Sequence, residues 1–226
     1  MFENEKPIQK DKLQQQVFSR LCNLLRQGEF TPGDAVPVAR VSKAFGVSAM
    51  PVREALTRLL AMGVLANVSG RSVGVPILST DELQDLRQVR LEVETTAVIW
   101  AVRNRDASFL ADLEVILDRM ENAEKSGDVR NFIKSNYEFH FRLYQQSKSP
   151  VLIDIINTLW LRVSPHLYRL HNERADRYRV SNDHHKTIVE AVRRGDAEAA
   201  SNALIADVSD AYDDLMASQF EIDRAS

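Results

Sequence analysis

The 226-residue sequence has a single cysteine and no long run of apolar residues. Cys22 has no partner for an internal disulfide, and its place beside Leu21 and Leu24 predicts a buried thiol on an apolar helix face. No segment approaches the roughly 20 apolar residues that span a bilayer. The first residues, MFENEK, lack the basic and then apolar order of a secretory signal. We therefore expect a cytoplasmic protein that makes no use of a membrane.

Short motifs that mark common enzyme sites are also missing. The sequence has no glycine-rich phosphate loop, no nucleophile elbow and no HExxH zinc-protease motif. Histidines and carboxylates are present and can form a catalytic metal centre, but no separate general base can be assigned to one. We therefore expect a protein that is not an enzyme, with a metal-dependent enzyme as the alternative.

The charges are distributed unevenly along the chain. The formal net charge is −3, yet residues 1–76 hold 10 Lys and Arg against 6 Asp and Glu, a net charge of +4. The remaining residues hold 19 against 26, a net charge of −7. A basic N-terminal third is typical of a chain that contacts phosphate at one end only. The alternative is an adaptor that uses the same segment to bind protein.

The first 77 residues have the pattern of a helix-turn-helix followed by a hairpin. Apolar residues recur at three- and four-residue steps, Gly46 and Val47 mark a tight turn, and Ser48 is placed to cap the helix after it. Two β-branched segments flank Ser69-Gly-Arg-Ser72, which has the composition of a hairpin turn. The sequence predicts helices at 8–27, 38–45 and 48–62 and strands at 64–68 and 73–77. This order is that of a winged helix-turn-helix.

The rest of the chain predicts helices only. The segments are 80–105, 108–126, 128–147, 150–172, 181–194 and 196–219. Ser108, Asp128 and Ser181 are predicted N-caps, and Gly127 and Gly195 predicted C-terminal stops. We expect the proline inside the fourth of these helices, Pro165, to kink or split it. The predicted fold is mainly α: a winged helix-turn-helix domain at 1–78 and an all-helical bundle at 79–226.

Three fragments of the N-terminal segment resemble the DNA-binding domain of the GntR family. They are Gly28-Glu-Phe-Thr-Pro-Gly-Asp, Phe45-Gly-Val-Ser-Ala-Met-Pro-Val-Arg-Glu-Ala-Leu and Met62-Gly-Val-Leu. The helical remainder resembles the FCD subfamily, and the likeness runs from about residue 8 to about residue 218. The resemblance implies a transcription regulator that binds double-stranded DNA and senses a small molecule. We expect a repressor that binds a palindromic operator as a homodimer and is controlled by an organic acid.

The resemblance assigns DNA-contacting residues to the second helix of the pair and to the hairpin. Arg53 is implied to read bases, because an arginine can donate two hydrogen bonds to guanine. Family members often have Arg-Thr before the proline, where this sequence has Ala49-Met50, so a second arginine contact is missing. For Arg53 the alternative is a surface ion pair, and for Arg71 it is an ordinary turn residue. The predicted set is Ser48, Arg53, Thr57, Gly70 and Arg71, with Arg58 as a phosphate contact or a solvated charge.

The resemblance also implies a divalent metal in the helical domain. The subfamily pattern is an aspartate and a histidine four residues apart, followed by two later histidines; here the corresponding residues are Asn136, His140, His185 and Asp207. Two imidazoles and a carboxylate suit Zn²⁺, Ni²⁺, Mn²⁺ or Fe²⁺, and Asn136 can add a carbonyl oxygen or contact an effector instead. His184 is the second choice for the third position. A metal-free pocket, in which these groups bind a ligand or one another, is the alternative.

Two arginines are candidates for binding the effector. Arg90 resembles the arginine of the first helix of this domain that faces the cavity, where it can bind a carboxylate through two hydrogen bonds. The alternative for Arg90 is an ion pair with Glu94, four residues later. Arg162 is a second candidate cation.

Overall fold

The computed structural model describes residues 11–69, 72–173 and 177–225. These form two compact units, residues 1–77 and residues 78–226. Among the described helices, none combines the length and the apolar character needed to cross a bilayer.

The first unit contains three helices and a two-stranded antiparallel sheet. Their bounds are α1 Asp11–Arg26, α2 Val38–Phe45, α3 Ala49–Ala61, β1 Ala66–Ser69 and β2 Ser72–Gly74. Both α1 and α2 pack against α3. The buried stripe of α1 includes Leu21, Cys22 and Leu25, so the thiol lies in the core as predicted. Burial raises the pKa of the Cys22 thiol.

The turn between α2 and α3 depends on a left-handed residue. Gly46 has φ +66°, and its N–H donates to the carbonyl of Ser42, which ends α2. Two residues, Val47 and Ser48, then lead into α3. This short turn sets α2 and α3 as the helix-turn-helix pair that the sequence predicts.

The hairpin has shorter strands than the sequence predicts, because the flanking amides bond elsewhere. The N–H groups of Val64 and Leu65 donate to the carbonyl of Leu59, so these residues are bonded to the last turn of α3 and not to the other strand. The N–H of Val75 donates to the carbonyl of Asp34, in the loop before α2. The hairpin is thereby held to the body of the domain at both ends.

Six helices form the second unit, as predicted. Their bounds are α4 Thr80–Arg103, α5 Ala107–Ser126, α6 Val129–Gln145, α7 Pro150–Glu173, α8 Arg177–Arg194 and α9 Ala197–Ala225. In this bundle α4 packs along α9, α8 packs on both α5 and α9, and α6 packs on α4, α5 and α7. The large side chains with almost no exposure include Phe109, Phe132, Phe139, Tyr144 and Tyr212. The mainly α fold class predicted from the sequence is confirmed.

Several predicted helix ends are correct and two are wrong. Asp128 accepts the N–H of Asn131 at 3.1 Å and caps α6, while Gly127 adopts φ +67° at the end of α5. The cap of α5 is Asp106 rather than Ser108, because the Asp106 carboxylate accepts the N–H of Phe109 at 2.8 Å. The prediction for Ser181 is also wrong, since α8 already begins at Arg177.

Pro165 lies inside α7 without dividing it. The helix runs as one element from Pro150 to Glu173. The hydroxyl of Ser164 donates to the carbonyl of Trp160 at 2.6 Å within the same turn. The predicted split of this helix is therefore wrong.

Candidate functional site

Helix α3 presents a polar face to solvent and an apolar face to the domain core. Val52, Leu56 and Leu59 are buried. Arg53 and Thr57, one turn apart, are both exposed. An exposed arginine in the first turns of the second helix of such a pair can reach base edges in a major groove.

Ser48 occupies the N-cap position of α3 but does not cap it through its side chain. Its backbone is extended, with φ −67° and ψ 166°, and its hydroxyl makes no hydrogen bond to the first amides of the helix. The residue is exposed. The predicted capping bond is therefore absent, and the hydroxyl is left where a phosphate oxygen can approach it together with the N-terminal amides.

Arg58, although exposed, is engaged within the first unit. Its Nη1 donates to the amide oxygen of Gln15 at 3.2 Å, and its guanidinium carbon lies 3.8 Å from the centre of the Phe18 ring. Both partners lie on α1, so Arg58 braces α3 against α1. Gly70 and Arg71, the predicted wing-tip contacts, lie outside the described residues.

In the second unit, three buried side chains from three helices converge on one point. His140 of α6, His185 of α8 and Asp207 of α9 direct one ligand atom each into a cluster. Nε2 of His140 lies 3.2 Å from Oδ2 of Asp207 and 3.1 Å from Nε2 of His185. Nε2 of His185 lies 3.6 Å from the same carboxylate oxygen. The residues that the resemblance implies as ligands are thus brought together.

Asn136 lies one helical turn before His140 and faces the same small cavity. The cavity measures about 20 Å³, enough for about one water molecule or an ion, and Asn136, His140 and Asp207 contribute to its wall. The side-chain oxygen of Asn136 is buried and has no hydrogen-bond partner within the described residues. A buried carbonyl oxygen without a donor beside two imidazoles and a carboxylate fits a divalent cation.

Electrostatics keep the carboxylate of this cluster ionised. Burial alone would raise the pKa of Asp207, but His185 and His140 beside it hold that pKa well below its usual value. Ser181 supports the same charge by donating to Oδ1 of Asp207 at 2.9 Å. Burial lowers the pKa of His185 and so favours the neutral imidazole that binds metals. Asp207 and His185 therefore have the protonation states that a metal needs.

Arg90 lines the cavity and also forms the alternative ion pair with Glu94. Its Nε lies 2.6 Å from Oε1 of Glu94 and its Nη2 lies 3.2 Å from Oε2. The guanidinium carbon lies 4.6 Å from the centre of the Trp160 ring. Burial alone would lower the pKa of Arg90, but Glu94 raises it above its usual value, so the buried charge is balanced. Arg90 thus forms the ion pair with Glu94 and faces the cavity, and its role in binding an effector stays a prediction.

Tyr144 connects this ion pair to the histidine cluster. Its hydroxyl donates to Oε2 of Glu94 and lies 3.1 Å from Nδ1 of His140. Burial first, and then the nearby charge of Glu94, raise the pKa of Tyr144 well above its usual value. The phenol is therefore neutral and keeps its proton.

Two predicted residues take other positions. Arg162 is half-buried and is not among the residues that line the cavity; its Nε is buried without a hydrogen-bond partner in the described part of the chain. His184 is partly exposed and lies 2.8 Å from Oδ2 of Asp210, at the edge of the bundle. Of the two adjacent histidines, only His185 reaches the cluster.

Sequence reasoning missed the roles of Glu94, Tyr144 and Ser181. The sequence predicts Glu94 only as the ion-pair partner of Arg90, and it indicates no more for Tyr144 than a ring in the core or the cavity wall. The available signal was spacing: Tyr144 follows His140 by four residues, and Asn136 precedes it by four, so all three share one helix face. No spacing in the sequence relates Ser181 to Asp207, which lie on different helices.

Comparison with known proteins gives consistent matches over most of the chain. Residues 13–75 match the profile of bacterial regulatory proteins of the gntR family, and residues 85–210 match the FCD domain. The chain is 30% identical over 192 residues to the HTH-type transcriptional regulator McbR of Escherichia coli strain K12, covering 84% of this chain and 86% of McbR. It is 28% identical over 220 residues to the HTH-type transcriptional repressor NanR of Cronobacter sakazakii, covering 88% and 84%.

A solved structure shares the same fold. The structure of E. coli McbR/YncC superposes with a TM-score of 0.85 at 27% sequence identity, covering 92% of this chain and 99% of that one. The likeness therefore includes the helical domain as well as the helix-turn-helix.

Proposed function

The chain belongs to the gntR family of bacterial regulatory proteins and carries an FCD domain, and from this premise we propose that it is a ligand-controlled repressor. Its relatives and its fold are those of DNA-binding regulators and not of enzymes. In our proposal residues 1–78 bind DNA, and residues 79–226 bind the effector and form a homodimer. The protein acts in the cytoplasm, where DNA is accessible.

The observation that carries the DNA-binding part is the exposed Arg53 on the outer face of α3. The opposite face of this helix is buried in the domain core, so the orientation of the arginine is fixed by packing. In a homodimer, two such helices reach two half-sites of a palindrome about one helical turn of DNA apart. Thr57 lies on the same exposed face, and Ser48 with the N-terminal amides of α3 binds an adjacent phosphate.

Supporting contacts come from outside α3. Gly70 and Arg71 at the hairpin tip are proposed to contact the neighbouring groove or a phosphate. Arg58 contributes less than the others, because it already bonds Gln15 and stacks on Phe18.

We propose that His140, His185, Asp207 and Asn136 hold a divalent metal. The donor set of two imidazoles, a carboxylate and an amide oxygen suits Zn²⁺, Ni²⁺, Mn²⁺ or Fe²⁺. A bound metal would supply a Lewis acid that an oxygen of the effector can ligate. The support from this structure is the convergence of the three ligand atoms and the unpaired oxygen of Asn136.

The effector is proposed to be a small organic acid whose carboxylate competes with Glu94 for Arg90. A guanidinium can bind either carboxylate through two hydrogen bonds, and a displaced Glu94 keeps the hydrogen bond from Tyr144. Arg162 stays a secondary candidate for contact with the effector. It does not line the cavity, so this contact requires a rearrangement of side chains. The sign of regulation is taken from NanR, which is named a repressor.

The deciding experiment is a footprint on DNA from around the gene with the wild-type chain and Arg53→Ala. Loss of one bidentate base contact costs about 1–3 kcal/mol of specificity per half-site, so operator affinity should fall by about tenfold or more. Arg119→Ala, an exposed arginine on α5 that pairs with Glu138, is the matched control and should leave the footprint intact. An unchanged footprint with Arg53→Ala would reject the base-reading role.

A further inference from the structure

Four polar side chains form a continuous hydrogen-bonded series across the interior of the second unit. It runs from Arg90 through Glu94 of α4 to Tyr144 and His140 of α6. All four side chains are buried, with at most 2% of any of them exposed. Because these groups are buried away from bulk solvent, their protons are shared mainly among protein atoms.

The direction of each hydrogen bond follows from the chemistry of the groups. Glu94 is ionised, because it pairs with a buried arginine, and a carboxylate can only accept. Tyr144 has one hydroxyl proton, and it donates that proton to Glu94. The phenolic oxygen therefore has only acceptor capacity left for Nδ1 of His140, 3.1 Å away. Nδ1 of His140 must therefore carry a proton and donate it to that oxygen.

The second histidine is expected to have the opposite tautomer when no metal is bound. Nδ1 of His185 is buried and has no hydrogen-bond partner in the described residues. Its Nε2 lies 3.6 Å from Oδ2 of Asp207 and 3.1 Å from Nε2 of His140. A proton on Nε2 of His185 can be donated to the Asp207 carboxylate, whereas a proton on Nδ1 has no acceptor.

We propose that Tyr144, held by the Arg90–Glu94 pair, is a positioning residue that fixes a proton on Nδ1 of His140 and so leaves Nε2 as the nitrogen that binds the metal. This inference deepens the proposed function and rests on its metal centre. A ligand histidine that donates its other N–H to a fixed acceptor is better oriented and more basic. Tyr144 is that acceptor, and Glu94 keeps the phenol from acting as a donor to the ring.

The first test measures the tautomer directly in the full-length protein with metal removed by a chelator. Long-range ¹H–¹⁵N spectra of ¹⁵N-histidine-labelled protein distinguish a protonated ring nitrogen from an unprotonated one, and His140→Gln assigns the signal. We expect His140 to be protonated on Nδ1 in the wild type. Tyr144→Phe keeps the ring volume but removes the hydroxyl, and it should shift His140 toward the Nε2-protonated form.

Tyr137→Phe is the matched control, because Tyr137 lies on the same helix and its ring stacks on Phe141. It should leave the His140 signals unchanged. A His140 ring protonated on Nε2 in the wild type would overturn the proposal, even if the Tyr144 variant fails to fold. An unchanged tautomer in a folded Tyr144→Phe protein would overturn it as well.

The second test measures Zn²⁺ affinity by competition with a chelator. Loss of an outer partner of a ligand histidine weakens metal binding about 10–100-fold, so Tyr144→Phe should show a decrease of that size and Tyr137→Phe should not. An equal affinity in Tyr144→Phe and the wild type would contradict the positioning role. A wild type that binds no Zn²⁺ but has the Tyr144-dependent tautomer would overturn the proposed metal centre while supporting the Tyr144–His140 hydrogen bond.

Discussion

His184 and His185 are adjacent in the chain but differ completely in environment. His185 is fully buried against His140 and Asp207, whereas His184 pairs with Asp210 at the edge of the bundle. A helix turns by about 100° per residue, so one of two neighbours faces the core and the other does not. The pair therefore provides its own control for the metal centre.

At the residue scale we predict that His185→Ala abolishes metal binding while His184→Ala preserves it. Only the first variant removes a ligand atom from the cluster. The measurement is elemental analysis of each purified protein after equilibration with Zn²⁺ and removal of the excess. Equal metal content in the two variants would reject the assignment of His185.

The histidine cluster could be predicted from the sequence, but its supporting residues could not. Helical periodicity decides which side chains face the core, so His140, His185 and Asp207 could be assigned to inward positions and grouped by the family resemblance. The bond from Tyr144 to Glu94 depends on how α4 packs against α6, which periodicity does not determine. Ser181 was interpreted as a cap because serine favours helix ends, but its hydroxyl bonds Asp207 on another helix.

At the scale of the element, α4 begins with a reciprocal capping box. The hydroxyl of Ser79 accepts the N–H of Glu82 at 3.3 Å, and the Glu82 carboxylate accepts the backbone N–H of Ser79 at 2.8 Å. The hydrogen bond from the Ser79 backbone is the first cause of a lowered pKa of Glu82. The ionised carboxylate is thus part of the cap.

We predict that Ser79→Ala lowers the free energy of unfolding by about 1 kcal/mol at neutral pH. Because the pKa of Glu82 is lower in the folded protein, its contribution is complete above the unfolded pKa of about 4.3 and disappears as the pH falls through the folded value. Ser79→Ala keeps the backbone hydrogen bond but loses the one from the Ser79 hydroxyl to the Glu82 carboxylate at 2.8 Å. The difference between the wild type and Ser79→Ala should therefore decrease in acid. Urea unfolding at neutral and acidic pH measures it, and a constant difference would contradict the role of the charge.

In the hairpin, Gly74 is required by the close approach of the loop before α2. A Cβ atom at Gly74 would collide with the backbone oxygen of Asp34 and with the Val68 side chain. The backbone of Asp34 cannot move aside as a flexible side chain can, so strand β2 itself would have to move.

We predict that Gly74→Ala lowers the free energy of unfolding by about 1–3 kcal/mol and also weakens operator binding, because it displaces the hairpin. Gly127→Ala in the second unit is the matched control. Gly127 has φ +67° with open space around it, so the cost there is backbone strain of about 1–2 kcal/mol without a collision. Operator affinity should fall for Gly74→Ala alone; an equal loss in both variants would indicate general destabilisation.

The elements themselves were largely predictable, and the errors have local causes. Helices α2 and α3 begin and end within a residue or so of the prediction. Their apolar residues recur at clear helical spacing, and Gly46 and Gly63 mark where each helix stops. The strands were predicted too long, since β-branched residues near the end of α3 suggested a strand. Hydrogen bonds from Val64 and Leu65 to Leu59 decide otherwise, and they depend on where the helix ends.

At the scale of the whole molecule, charge is segregated between the two ends of the sequence. A net charge of −3 predicts weak repulsion from DNA, whereas +4 over residues 1–76 predicts attraction to it. Local charge governs binding, because charges beyond about 10 Å are screened at 0.1 M salt.

We therefore predict that operator affinity falls steeply with salt. The logarithm of the binding constant should fall against the logarithm of the salt concentration with a slope of about −0.9 for each phosphate neutralised. Arg40→Ala, which removes an exposed charge from α2, should reduce the slope by about 1 while keeping operator preference. Fluorescence anisotropy over a range of salt concentrations measures both quantities. Affinity that is insensitive to salt would contradict a phosphate-contacting surface in residues 1–76.

The cavity beside Asn136 has about 20 Å³ of free space, far below the roughly 300 Å³ of an ordinary ligand pocket. An organic molecule can enter this bundle only by pushing side chains or whole helices apart. Binding of such a molecule therefore changes the conformation of the bundle in the same step. A tight interior thus makes the domain responsive to small molecules without any separate moving part.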